Sequence, residues 1–200
     1  MRLEKAGETE FPVHELIKKR WSPRAFADRP VESQKIGSLL EAARWAASCF
    51  NEQPWHFIIA TRENPAEYER LLNCLVESNR AWAKRAPVLL LSVARLTFPE
   101  GGKPNRHAYH DVGLAVSQLV LQATAMGLVV HQMAGFSLEK ARETYRIPDG
   151  YDPIAAIAIG YQGDPAILSD RLRERELGNR SRMALETFAF AGEWGRPWAG

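Results

Sequence analysis

Cysteine is almost absent from this chain. Only Cys49 and Cys74 occur in 200 residues, far apart and without a C-x-x-C spacing. That excludes a disulfide framework and fits a reducing cytoplasm. An excess of one charge is lacking too, since 26 Lys and Arg face 24 Asp and Glu. Bulk charge therefore gives no indication of nucleic-acid binding. No apolar run approaches the ~18 residues that a membrane span needs. Met1–Glu8 has no apolar signal core, so a cytoplasmic location without a membrane segment is expected. Neither a Walker A motif nor a G-x-G-x-x-G after a strand is present, and there is no G-x-S-x-G. Nothing marks a tightly held nucleotide of those types or a serine nucleophile at an elbow. The pair His107-x-x-His110 has helical spacing but lacks third and fourth ligands, so no metal site is expected.

What is present suits one domain with a real core. A chain this long buries roughly 70% of its unfolded surface. Helical stripes run through Val13–Arg20, Gln34–Ala47 and Tyr68–Val76. Asn64-Pro65-Ala66-Glu67 opens the last of these with Asn as N-cap and Pro at N1. Short apolar runs at His56–Thr61, Pro87–Ala94, Leu128–Met133 and Pro153–Tyr161 read as strands, the second buried on both faces. Asp111–Met126 is apolar on most sides, which demands burial on most sides. Ser137 caps a short helix, and Leu96–Arg106, with two Pro and two Gly, reads as a mobile loop. Alternating strands and helices predict a layered arrangement. From Gly163 the tail mixes Arg and Glu with Phe188, Phe190, Trp194 and Trp198 and shows little periodicity. Such a tail lies across its own body or across a partner.

Arg20-Trp21-Ser22-Pro23-Arg24 carries most of the chemistry. Pro23 forbids a regular helix through it and pushes Ser22 out of the α region. The result is a tight turn with two guanidiniums and a hydroxyl. Arginine forks suit phosphate; a solvated basic turn is the alternative, because Lys18 and Lys19 precede it. A second cluster, Ser48, Asn51 and Gln53, falls in a connecting loop before a strand. Its amides offer donor and acceptor together, as the edge of a heteroaromatic ring requires. Ordinary turn chemistry explains the same residues.

Taken in order, these segments resemble the FMN-dependent nitroreductases. Arg20-x-Ser22-x-Arg24-x-Phe26 and Ser48-x-x-Asn51-x-Gln53-Pro54-Trp55-x-Phe57 look like the family's two N-terminal signatures. Asp111-x-Gly113 resembles the start of its central helix, and Gly127-Leu128 with Gly135-Phe136 its flavin-facing strand and turn. Ile157-x-Ile159-Gly160-Tyr161 and Arg180-Ser181-Arg182 are similar to its last core strand and its basic tail. The resemblance covers nearly the whole chain.

It implies an α+β, three-layer α/β/α fold over residues 1–200, with a central mixed sheet flanked by helices. Residues 163–200 would form an arm exchanged between the subunits of a homodimer. The implied function is an FMN-dependent NAD(P)H oxidoreductase. Hydride would pass from NADH or NADPH through flavin N5 to a nitroaromatic, quinone or related small-molecule acceptor, in ping-pong fashion. Arg20, with Ser22 beside it, and Arg180 and Arg182 match the phosphate end; Trp21, between Arg20 and Ser22, would stack near the cofactor or plug the turn; and Arg24 matches a charge beside the ring that would stabilise reduced flavin. Ser48, Asn51 and Gln53 match the ribityl and ring edge, largely supplied by the other subunit. Asn79 matches the pyrimidine edge more loosely, and Met133, Ala134 and Gly135 match the turn facing N5. No acid, base or nucleophile is implied. Departures exist: Ala47 stands where many relatives have Pro, Gln132 and Ala134 where some have Pro and Glu, and Trp21 where a basic or polar residue is common. A different redox reaction on the same fold, such as dehalogenation or metabolite oxidation, is the first rival. A non-catalytic flavin-binding protein is the second.

Overall fold

The architecture follows from which faces the apolar runs must cover. The computed structural model describes residues 3–198. Its strands are β1 (Trp55–Thr61), β2 (Val88–Arg95), β3 (Val129–Met133) and β4 (Tyr151–Gly160). They form one sheet in the order β1-β2-β4-β3. In β2, Leu89, Leu91 and Val93 join one core and Val88, Leu90 and Ala94 the other, so both faces are covered. One layer is α3 (Pro65–Leu72), α4 (Glu77–Ala83) and α6 (Leu138–Tyr145); the opposite layer is α2 (Ser33–Arg44) and α5 (Ala108–Ala125). The expected three-layer α/β/α fold is the observed one. In α5, Val112, Ala115, Leu119 and Ala123 are fully buried against α2 and the sheet, as its apolar girth requires. Two helix starts read directly from sequence. Asn64 accepts the Glu67 N–H at 3.4 Å ahead of Pro65, and the Ser137 hydroxyl accepts the Lys140 N–H at 3.1 Å.

The sheet corrects one expectation: it is antiparallel in every described pair, not mixed. β2 and β3 do run parallel and are joined over one face by α5, the arrangement that alternating elements suggest. β4 then inserts between them and pairs antiparallel with both. A bulge opposite Ser92 and Val93 falls next to Pro153, which has no N–H to offer the ladder.

Three segments differ from the sequence pattern for tertiary reasons. The stripe expected through Val76 stops at Leu72, because Leu75 bridges to Phe136 and Ser137 N–H bonds to the Cys74 carbonyl. Those contacts pull residues 73–76 off the helix, and α4 starts afresh. The 96–106 loop is closed by the Thr97–Pro104 bridge and by Asn105 N–H on the Leu96 carbonyl at 2.7 Å, with Gly101 and Gly102 at positive φ making the turn. The tail contains a helix, α7 (Asp170–Leu177). Its buried residue is Glu176, so no apolar stripe announces it.

Candidate functional site

α1 (Glu15–Lys19) ends where Pro23 requires, and Arg20 leaves it in extended conformation. The turn that follows meets the chain's own tail. Arg20, Trp21, Ser22 and Arg24 line one cavity of about 250 Å³ together with Arg175, Arg180, Arg182 and Lys5. Arg20 donates to the Ser22 hydroxyl at 3.4 Å. The four residues expected at the phosphate end, Arg20, Ser22, Arg180 and Arg182, thus line one cavity with Trp21 and Arg24. Burial, then Arg180 and Arg182, pull the Arg20 pKa below its ordinary value; burial and Arg182 do the same to Arg180. Crowded guanidiniums with partial burial are unfavourable unless an anion joins them.

The acid at this cavity does not neutralise the cluster through side-chain pairing. Glu176, 1% exposed, accepts the backbone N–H of Arg24 at 2.9 and 3.0 Å and that of Ala25 at 3.0 Å. Arg180 is partly committed as well, since its Nη1 donates to the Lys18 carbonyl at 2.7 Å and to the Lys5 carbonyl. A guanidinium has five N–H donors, so others remain for a ligand.

Arg24 connects this end to a second region. Its guanidinium lies 5.9 Å over the Trp82 ring. His131 on β3 packs 4.6 Å from the same ring, and its Nδ1–H donates to the Pro23 carbonyl at 3.0 Å. Burial, then the Arg24 charge, lower the His131 pKa to about 4, so the ring is neutral at pH 7. One helical turn before Trp82 stands Asn79, whose amide donates to the Gly135 carbonyl at 3.0 Å. A Cβ at Gly135 would meet Asn79 Nδ2 at 2.5 Å and Val76 Cγ2 at 2.9 Å, so glycine is required there. Ala134 is exposed beside it. The Met133 side chain is 3% exposed and belongs to the core, which leaves its backbone for a ligand.

Ser48, Asn51 and Gln53 form a strained loop elsewhere. Phe50, Asn51 and Gln53 all have positive φ, from 49° to 57°. Such backbone persists in non-glycine residues only when it is held from several sides. Here Ser48 Oγ accepts the Gln53 N–H at 3.0 Å, and buried Asp111 accepts the Cys49 N–H at 3.0 Å. Asn51 and Gln53 stay exposed, and Phe50 just before them is 85% exposed. The loop leads into β1, one sheet edge, whereas His131 lies on β3, the other edge. Trp55 pairs with Ala94, while His131 is level with Ala158, Leu89 and Ala60. Strand spacing and rise put these diagonal corners on the order of 20 Å apart. One chain therefore does not bring its two clusters together.

Sequence reasoning missed Glu176, Trp82 and Lys5. Trp82 could have been found three residues beyond Asn79; a lone Glu among arginines and a lysine near the start carry no signal. The first part of the tail contacts the body of its own chain at three points: Gly163 N–H donates to the Ala25 carbonyl, Glu176 accepts from Ala25 N–H, and Arg180 donates to the Lys18 carbonyl. Beyond it Phe190 bridges to Pro197, and Trp194 is 92% exposed. Among the described residues no group of three or more His, Cys, Asp or Glu could hold a metal, and no helix is long and apolar enough to cross a membrane.

Residues 17–161 match the profile of the nitroreductase family. The chain belongs to that family. A crystal structure of an oxidoreductase containing FMN is 36% identical, covers 98% of this chain and 100% of its own, and superposes with a TM-score of 0.91. A nitroreductase family protein from Clostridium difficile 630 is 26% identical over 89% of this chain and 96% of its own, with a TM-score of 0.68. A Methanothermobacter thermautotrophicus protein, named provisionally as an NADH dehydrogenase/NAD(P)H nitroreductase, is 28% identical over 160 residues, 78% of this chain and 80% of that one. As a nitroreductase family member the protein is an oxidoreductase.

Proposed function

We propose that this nitroreductase family member is an FMN-dependent NAD(P)H oxidoreductase working as a homodimer. The observation that carries the reading is the gathering of Arg20, Arg24, Arg180 and Arg182 on one small cavity whose carboxylate, Glu176, is occupied by backbone amides. That donor set fits a phosphate monoester. The 36% identical FMN-containing oxidoreductase and the provisional name of the archaeal relative support the cofactor and the electron donor.

The chemistry that the flavin supplies when bound is hydride exchange at N5, taken from NADH or NADPH and handed to a nitroaromatic, quinone or related acceptor in ping-pong order. The chain's residues bind and orient. Arg20, Ser22, Arg180 and Arg182 would hold the phosphate, with Trp21 walling that end. Arg24, set by Glu176 on one side and by the His131–Pro23 bond on the other, would present fixed positive charge where electrons accumulate. Asn79 fixes the Gly135 carbonyl, and Ala134 leaves the neighbouring backbone open to a ring. Ser48, Asn51 and Gln53 would come from the other subunit. The diagonal separation of the two clusters and the exposed Phe50 and Trp194 support that arrangement.

Anaerobic titration of the purified, FMN-loaded protein with NADH and with NADPH tests the reading. Bleaching of the flavin band followed by reoxidation with a nitroaromatic or quinone is expected. A protein that takes up no FMN sinks the proposal; one that binds FMN but is not bleached by either donor is a flavin-binding protein only.

A further inference from the structure

The segment before α1 is tied to the arginine cavity from several directions. The Gln162 amide donates to the Leu3 carbonyl at 3.0 Å, and Gly7 N–H donates to the Lys18 carbonyl at 3.0 Å. Between these ties, Lys5 makes a reciprocal connection to the tail. Its Nζ donates to the Glu176 carbonyl at 2.8 Å and to the Gly178 carbonyl, while Arg180 from the tail donates to the Lys5 carbonyl. Glu176 and Gly178 stand at the C-terminal end of α7, where carbonyls lack helical partners and a cation is favoured. Lys5 Nζ also lies 4.9 Å from the centre of the Trp21 ring. Three features of one cavity therefore meet at one residue: the carbonyls at the end of α7 and the Trp21 ring at its ammonium, and Arg180 at its carbonyl.

The mechanical consequence follows from charge. Arg180 and Arg182 follow α7 on a stretch without regular structure, and both repel Arg20. That repulsion favours an outward swing of the tail, against which Arg180 is already tied to the Lys5 and Lys18 carbonyls. Lys5 opposes the swing by fastening the carbonyls immediately before Arg180. Burial lowers the Lys5 pKa, Glu176 raises it and Arg180 lowers it, as expected of an ammonium enclosed in this cluster.

We propose that Lys5 is a positioning residue for cofactor binding: by fastening the end of α7, it holds Arg180 and Arg182 in range of the phosphate and so governs retention of the phosphorylated flavin. This rests on the reading of the cavity as the phosphate site. Lys5 acts through the arginines, so its effect should be specific to the phosphate-bearing ligand.

Flavin binding to the full-length protein tests this, with fluorescence titration of FMN and of riboflavin, which lacks the phosphate. Lys5→Met is expected to raise the FMN Kd about tenfold, the scale of one charge-assisted interaction, while riboflavin affinity stays within about twofold. Lys5→Arg, which can reach the same carbonyls, should restore most of the loss. Unchanged FMN affinity in Lys5→Met overturns the proposal, as does an equal loss for both ligands, which would mark a general structural role. Arg20→Ala separates the two levels. Loss of FMN affinity in Arg20→Ala but not in Lys5→Met removes the Lys5 role alone. Retention in both removes the phosphate-site reading as well.

Discussion

Glu176 in the tail holds the backbone N–H of Arg24 with both carboxylate oxygens, at 2.9 and 3.0 Å, across 152 residues of chain. The bond fixes where the first arginine motif sits relative to the last. With the Ala25 N–H, two donors, one buried and one partly buried, depend on this carboxylate. Glu176→Ala leaves both unsatisfied and should destabilise the protein by about 2–4 kcal/mol. Glu176→Gln keeps one acceptor oxygen and should lose about half as much. Urea denaturation of the three proteins checks the order; equal stability of wild type and Glu176→Ala would contradict it.

Gly135 has no room for a methyl group. Gly135→Ala places Cβ against Asn79 Nδ2 and Val76 Cγ2 and should cost about 1–3 kcal/mol. Asn79→Ala in that background relieves the tighter contact. The Gly135 carbonyl keeps the Val76 N–H at 3.1 Å, so the double variant should recover part of the loss. A double-mutant cycle measures this, and strictly additive effects would show that the contact does not exist.

His131 makes stability depend on pH in a definite direction. Its folded pKa of about 4 lies below the unfolded value of 6.5. Between these values the unfolded chain binds more protons, so stability rises with pH. The contribution is fully present above pH 6.5 and is lost as pH falls toward 4. Its size is on the order of 3 kcal/mol. Stability curves of wild type and His131→Gln from pH 7 to 4 should therefore converge by that amount. Parallel curves would mean that the ring is not buried beside Arg24.

Much of this was legible beforehand because it is local. The caps at Asn64 and Ser137, the proline stop after Arg20 and the apolar girth of α5 are properties of a few adjacent residues. The gathering of Arg20 with Arg180 and Arg182 was legible only through the ordered resemblance, since no spacing rule joins positions 160 residues apart. The rest was hidden for physical reasons. α7 buries a glutamate where an apolar residue would have announced it. The break after Leu72 is imposed by the 134–137 turn, and the antiparallel pairing depends on β4 entering between strands that precede it in the chain. The strained loop at Phe50–Gln53 contains no glycine to mark its positive φ; Asp111, 58 residues after Gln53, helps to hold it.

The diagonal placement of the two clusters predicts complementation between chains. Suppose that each flavin is gripped by the Arg20 cluster of one subunit and by the Ser48–Gln53 loop of the other. Homodimers of Arg20→Ala, or of Gln53→Ala, then carry two defective sites. A mixed dimer places both defects in one site and leaves the other intact. Differently tagged variants refolded together and purified as the mixed species should bind one FMN per dimer at wild-type affinity. Either homodimer should bind more weakly, Arg20→Ala by about tenfold or more. Were both clusters of a site drawn from one chain, the mixed dimer would hold two defective sites and no tight binding would return. Stoichiometry and affinity from one titration therefore decide whether the exposed loop around Phe50 completes its own site or its neighbour's.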